Sequence, residues 1–299
     1  MNGLLVIDKP QGMSSHAVVQ RVRRACKVRR VGHAGTLDPL ATGVLLVGVG
    51  QCTRLIEYLM AQDKTYRATM KLGLVTDSQD ITGQVQQQHD ASAVTRQQIE
   101  DVCHQFVGQI EQIPPMFSAL KKDGVPLYRL ARKGVEIERQ KRSISIESLV
   151  VEAVEGDEIT IVVACSKGTY IRTLCHDIGR ELGCGACMTS LRRTRSGAFD
   201  ETMAITVEQL MAGEFEPLPA LDALHGMLQV QLAEQGVSRL RDGIPPRQGD
   251  VSNAPTMDAL QTVCLMHDNT LMAIAQYDPE HELDERGDYK LLKVFPQGV

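Results

Sequence analysis

Four of the twelve residues in GHAGTLDPLATG, 32–43, are glycine or proline (Gly32, Gly35, Pro39, Gly43), and no helical or strand period runs across the stretch. Both flanks are regular. Upstream, SSHAVVQRVRRACK (14–27) opens on cap-type serines and sets Val18, Val22 and Ala25 on one helical face, with Arg21 and Arg24 elsewhere on the surface. Downstream, VLLVGVG is the apolar run of a buried strand. The chain must therefore present a shaped loop between an amphipathic helix and a core strand. Asp38 lies within that loop, and Pro39 behind it disfavours helical geometry and pushes the aspartate extended. From Lys9 to Arg54 there are eight basic residues, and Asp38 is the single acidic one.

Other elements follow from the same periodicities. GLLVI (3–7), closed by the turn-like DKPQG, reads as a buried strand. TYRATMKL (65–72) alternates, with Tyr66, Ala68, Met70 and Leu72 on one side, as a half-exposed strand does. In the polar loop VTDSQDITGQ, Asp77 and Asp80 read as turn residues, because calcium-loop spacing and a terminal glutamate are missing. Residues 95–111 read as a helix entering IEQIPPMFSALKKDGVPLY. From there to Arg142 the segment is basic and carries Phe117 and Tyr128, which suits either an element that grips RNA or an ordinary surface helix-loop. EITIVVAC (158–165) reads as a strand running into SKGTYIRTLCHDIGRELG, a helix with Thr169 as cap and Gly183 as stop. Arg172 then falls in the first helical turn, where its charge opposes the helix dipole. A carboxylate, a backbone carbonyl or solvent must compensate it. After the shift in composition at 214–227, the runs LQVQL, TVCLMH, TLMAIAQY and KLLKVF, with loops QGVSRLRDGIPPRQGD and DPEHELDERGD, read as a small all-β module.

Charge distribution narrows the function. The net charge is −5, yet RVRRACKVRR (21–30) holds six positive charges and no negative one, while residues 251–299 hold eight acids against three bases. A chain polarised in this way can bind a polyanion on one face, although a solvated basic face is equally compatible with the helix alone. No apolar run reaches the roughly 18 residues of a membrane span, and MNGLLVIDKPQG lacks the features of a signal peptide, so a cytoplasmic protein is expected. The eight cysteines show no framework spacing; Cys184 and Cys187 form one CxxC pair, which without a second CxxC or HxxxH reads as core rather than zinc or redox site. There is no GxxxxGK[ST] phosphate loop and no deaminase HxE with PCxxC, and a glycosidase's second carboxylate has no candidate in the loop.

Six ordered stretches together resemble the bacterial TruB-type tRNA pseudouridine synthases: GLLVIDKPQGMSSH, GHAGTLDPLATGVLLVGVGQCTRL, DKTYRATMKLG with TDSQDITG, IPPMFSALKKDGVPLYRLARKG, CSKGTYIRTLCHDIGRELG and LRRTRSGAF. The resemblance implies an α+β pseudouridine synthase fold with a mixed central sheet over 1–228, an RNA-gripping insertion at about 112–142, and a PUA-like RNA-binding domain over 229–299. It implies conversion of uridine 55 in the TΨC loop of tRNA to pseudouridine, with no cofactor or metal, by a monomer that needs no protein partner and recognises the tRNA T-arm. By the same resemblance Asp38 is the nucleophile and Arg172 its ion-pair partner. Tyr66 stacks on the uracil and is a candidate for base catalysis, His33 contacts RNA near the extracted base, and Tyr170 and Leu191 line the nucleotide pocket.

The chemistry of the residues agrees. A carboxylate inside a phosphate-attracting surface weakens binding, so it suits a reaction centre better than a pure binder. A neighbouring arginine should lower its pKa and keep it ionised. Attack at C6 of uracil and attack at C1′ of the ribose both remain open. The alternatives are the same reaction on another RNA such as rRNA, or an RNA-binding or RNA-folding module in which catalysis is incidental.

Overall fold

The computed structural model describes residues 1–280 and 287–299; residues 281–286 of the expected loop DPEHELDERGD lie outside them. Among the described residues the larger sheet has ten strands and mixed direction. Its path runs Ile205–Thr206, Gly3–Lys9, Thr42–Val49, Ala186–Ser196, Lys64–Leu72, Glu158–Cys165, Arg142–Glu155 and Gly108–Gln112. The Gly3–Lys9 and Thr42–Val49 strands are antiparallel, Thr42–Val49 and Ala186–Ser196 are parallel, and the rest of the path to Gly108–Gln112 is antiparallel.

Helices Ser15–Cys26, Arg96–Gln105, Ile171–Glu181 and Val207–Ala212 bury Val18, Val22, Ile99, Leu174, Ile178 and Leu210 in one cluster with the sheet residues Ile7, Leu45, Tyr66, Ala68 and Met70. On the other side of the first two long strands, Leu4, Val6, Val44 and Leu46 pack with Cys264, Met266, Ile274 and Phe295 of the C-terminal region. This explains two sequence patterns. GLLVI and VLLVGV are continuously apolar because both of their faces are covered, whereas TYRATMKL alternates because its Thr65, Arg67, Thr69 and Lys71 face is not.

The second sheet runs Val251–Asn253, Leu228–Leu232, Thr262–His267, Thr270–Tyr277 and Tyr289–Val294, so all four apolar runs expected there are strands. The segment read as the loop 235–250 differs, because helix Glu234–Arg241 buries Val237 and Leu240 against Val230 and Leu265. Two apolar residues three apart are too few to announce a helix among Gly and Pro. Residues 95–111 divide as well. The helix is Arg96–Gln105, opened by a Thr95–Gln98 capping box, and Gly108 at φ +102° turns the chain into the edge strand Gly108–Gln112.

Two long strands had no counterpart in the sequence reading, Arg142–Glu155 and Ala186–Ser196. Both carry bulges, which interrupt the two-residue alternation that would have revealed them.

Candidate active site

Asp38 is held by bonds on both sides of its loop. Ser15, the first residue of helix Ser15–Cys26, accepts at Oγ from Leu37 N–H at 2.8 Å and donates back to the Leu37 carbonyl at 2.9 Å. Gly12 N–H donates to the Pro39 carbonyl at 2.7 Å, and Ala41 N–H closes a turn on the Asp38 carbonyl at 3.1 Å. Lys9, fully buried, donates to the carbonyls of Met13 at 2.7 Å and Pro10 at 3.0 Å, which orders the turn carrying Gly12. At Gly43 (φ +95°) a Cβ would lie 2.3 Å from the Arg193 carbonyl, so only glycine lets the chain rejoin the sheet there.

Arg172 approaches from the far side of the chain. Its backbone is placed by Gln112, whose buried amide accepts from Tyr170 N–H at 2.7 Å and donates to the Tyr170 carbonyl at 3.0 Å. Tyr170 is the N-cap of helix Ile171–Glu181 and makes no side-chain cap bond. The expected cap, Thr169, instead turns its hydroxyl to the Ser166 carbonyl at 3.0 Å, closing the preceding turn.

Arg172 is 5% exposed and every nitrogen of its guanidinium is engaged. Nε meets Asp38 Oδ2 at 2.9 Å. Nη1 donates to the Ser78 carbonyl at 3.0 Å and lies 3.5 Å from Asp80 Oδ2, and Nη2 donates to the Phe117 carbonyl at 2.7 Å. The compensation anticipated for this arginine is thus two carboxylates and two carbonyls. Asp80, read from sequence as a turn residue, is a turn residue with a second task. Its Oδ1 accepts from the Ser78 hydroxyl at 2.9 Å and from Thr82 N–H at 3.0 Å, while Oδ2 faces Arg172. Its signal was the polar run TDSQDITG, in which burial is invisible.

The Asp38 carboxyl keeps 38% of its side-chain surface open, yet surrounding protein displaces enough water to push its pKa above the ordinary 3.8. Arg172 pulls it down, Asp80 pushes it up again, and Lys9 pulls down further. The expectation that the arginine would leave this pKa low is therefore corrected, because desolvation outweighs it. The chemistry of an ionised Asp38 must rise with pH through a value above 3.8, and the carboxylate destabilises the fold above that value and is relieved below it. Asp80→Asn removes an upward push, so the acid limb of the single-turnover rate profile should move to lower pH. A limb that stays put or moves up contradicts this assignment.

Tyr66 is 9% exposed and faces Arg193 across the strand pair Lys64–Leu72 and Ala186–Ser196, in which the two are register partners. Burial raises the pKa of its phenol, and Arg193 opposes the rise. Little of the ring is free, so a base can stack on it only if the facing wall shifts. Leu191 pairs with Ala68 in the same sheet and is buried in the core; with Leu40 it also borders a cavity of about 230 Å³ rimmed by Arg67 and Arg192. That cavity touches the Asp38 loop at Leu40 and Thr42 but not Asp38 itself.

His33, on the strand Val31–Ala34, is half-buried with its pKa lowered by burial and then by Arg193 and His16, and its Nδ1 has no hydrogen-bond partner among the described residues. The structure therefore brings Asp38 and Arg172 into contact, sets Tyr66 and Tyr170 within electrostatic range of Asp38, and sets His33 within range of Arg193 and His16.

Among the described residues no group of three or more His, Cys, Asp or Glu is placed to hold a metal, and no helix is long and apolar enough to cross a membrane. Cys184 and Cys187 are free, buried thiols, the latter raised by burial to about 11.

A family model for the N-terminal domain of TruB family pseudouridylate synthases matches residues 23–171, and one for the tRNA pseudouridylate synthase B C-terminal domain matches 172–228. The tRNA pseudouridine synthase B of Syntrophotalea carbinolica is 50% identical over 303 residues, covering 100% of this chain and 99% of its own. The chain belongs to the TruB family of pseudouridylate synthases.

As a TruB-family pseudouridylate synthase it is an isomerase, and other full-length relatives agree. The tRNA pseudouridine synthase B of Geobacter sulfurreducens is 45% identical over 306 residues, covering 99% of this chain and 100% of that one. Among solved structures, an H/ACA RNP bound to a substrate RNA containing 2'-deoxyuridine has a TM-score of 0.73 at 26% identity, covering 98% of this chain and 84% of its own. A Cbf5-Nop10-Gar1 complex matches with TM-score 0.73 at 27% identity, with the same coverage. The α+β fold and its mixed sheet are thus those of the TruB-type pseudouridine synthases.

Proposed function

We propose that this enzyme converts uridine 55 in the TΨC loop of tRNA to pseudouridine, with Asp38 as the nucleophile. The observation that carries the reading is the delivery of the one acid of a basic stretch to 2.9 Å from a buried arginine, with part of its carboxyl still open. The tRNA substrate is supported by the names of relatives aligned along the whole chain at 50% and 45% identity. The reading of another RNA rests on structural neighbours at 26–27% identity and is the weaker of the two.

In the reaction the N1–C1′ bond of uridine breaks, a C5–C1′ bond forms, C5 loses its proton and N1 gains one. Asp38 supplies the electron pair that opens this sequence, at C6 or at C1′, and leaves again when the C-glycoside forms. Arg172 orients its carboxylate. Tyr66 stacks on the extracted uracil and is the candidate for base catalysis, Tyr170 and Leu191 line the pocket, and the orphan Nδ1 of His33 takes a bond from the RNA. Extraction costs a few kcal/mol of stacking, which pocket contacts recover, and a looped-out RNA base suits this mode of recognition.

The insertion at about 112–142 grips the T-arm with exposed Lys121, Lys122, Arg129, Arg132 and Lys133. It is rooted at the site itself, through Gln112 on Tyr170 and Phe117 on Arg172. Division of the chain into a catalytic domain, 1–228, and a PUA-like RNA-binding domain, 229–299, belongs to this proposal, as does action by a monomer on free tRNA.

Carbodiimide-dependent reverse-transcription mapping of unmodified tRNA transcripts, incubated with the protein, tests it. A new stop at the T-loop uridine is expected. A stop elsewhere overturns the substrate, and binding without any stop overturns isomerisation of tRNA.

A further inference from the structure

Arg193 is the largest fully buried side chain of the protein's described residues, 1% exposed, and among those residues no carboxylate lies within salt-bridge distance of it. An unpaired buried guanidinium is costly to a fold, and replacing it with an apolar side chain is ordinarily tolerated or favourable. Its placement gives it a task. Nε donates to the Val44 carbonyl at 2.7 Å and Nη2 to the Gly35 carbonyl at 3.2 Å. Gly35 and Val44 stand on either side of the loop whose tip is Asp38, so one planar group ties both ends of that loop. The backbone joins in, because Arg193 is in parallel register with Gly43. Across the neighbouring strand Arg193 is the register partner of Tyr66, which puts guanidinium and phenol on the same face of the sheet.

We propose that Arg193 is a positioning residue for the isomerisation, clamping both ends of the Asp38 loop while standing over Tyr66, so that nucleophile and tyrosine keep one fixed relation. This rests on the reading of Asp38 and Tyr66 given above. A lysine cannot replace it fully, since a single ammonium lacks the rigid fork that reaches two carbonyls at once. Release of one loop end moves the carboxylate by an amount that matters: a misplacement of about 1 Å costs on the order of 100-fold in rate.

Arg193→Met and Arg193→Lys test this in the full chain, with single-turnover pseudouridine formation, tRNA affinity and amide hydrogen exchange of peptides covering 35–44 measured below the unfolding temperature of each variant. Arg193→Met should lose on the order of 100-fold in rate while its tRNA Kd changes by less than about threefold. Its exchange should rise over 35–44 and not across the sheet, and Arg193→Lys should fall between it and wild type. Unchanged exchange in that segment, or a rate loss accounted for by weaker tRNA binding, overturns the proposal. If Arg193→Met does not fold, Arg193→Lys with wild-type rate and exchange overturns it equally. A wild-type protein that forms no pseudouridine, in a series where exchange still rises over 35–44, leaves the clamp standing and removes the reading of the reaction.

Discussion

Asp38→Asn is expected to abolish pseudouridine formation, by about 10⁴-fold or more in single-turnover rate, while tRNA binds with wild-type affinity or better. The amide keeps the shape of the carboxylate and can still accept from Arg172 Nε, but it cannot supply the electron pair. Binding survives because the substitution removes a negative charge from a surface with eight basic residues between Lys9 and Arg54. The fold survives because Arg172 retains Asp80, Ser78 and Phe117 as partners. The wild-type carboxyl has a raised folded-state pKa, so at neutral pH its charge is a cost to the native state, and the neutral variant should melt no lower than wild type. Rate, filter-binding affinity and a thermal melt on one preparation decide the matter. Activity within tenfold of wild type would falsify the assignment of the nucleophile, whatever happened to binding.

Arg172→Met should be damaging in a different way, lowering both stability and rate. It leaves Asp80, nearly as buried as the arginine, without its cation, and it removes the one guanidinium that both carboxylates share. Breaking a buried pair by removing one partner costs about 3–5 kcal/mol, which for a chain of 299 residues is a fall in melting temperature of roughly 5–8 °C. The loss has a pH signature. Without Arg172, which pulls the Asp38 carboxyl down, that group should titrate still higher in the folded state, so its share of the destabilisation is full above that value and shrinks as pH falls through it. Adding Asp80→Asn to Arg172→Met should recover part of the stability and none of the activity. A melting temperature unchanged by Arg172→Met would mean that the Arg172–Asp80 pair offsets no more than its own desolvation.

Much of the Asp38–Arg172 pair was legible before any geometry. Asp38 is conspicuous as a lone acid followed by proline in a basic stretch, and Arg172 as a cation at a helix start, where its own dipole repels it. The elements that hold them were legible wherever one face or both faces of a strand are uniformly covered, as in GLLVI and TYRATMKL. Strand Ala186–Ser196 was not. Its ACMTSLRRTRS is polar and bulged, and the register shifts between Met188 and Ser190 and between Arg193 and Arg195 break the alternation that a reader follows. The same break conceals Arg193, since two adjacent arginines read as surface although one is fully buried and the other pairs with Asp8 and Glu201.

By itself, then, the sequence determined the local conformations and the residue types available for chemistry: a kinked loop around Asp38, a capped basic helix before it, and an arginine in need of a counter-charge. Those properties depend on neighbours a few positions apart, which a linear chain displays. Tertiary structure alone decided which partner answered that need, since Asp38, Asp80 and Phe117 reach Arg172 from three separate segments. It also decided the direction in which the pKa of Asp38 moves, because desolvation is a property of everything packed around a group, and no stretch of sequence carries it.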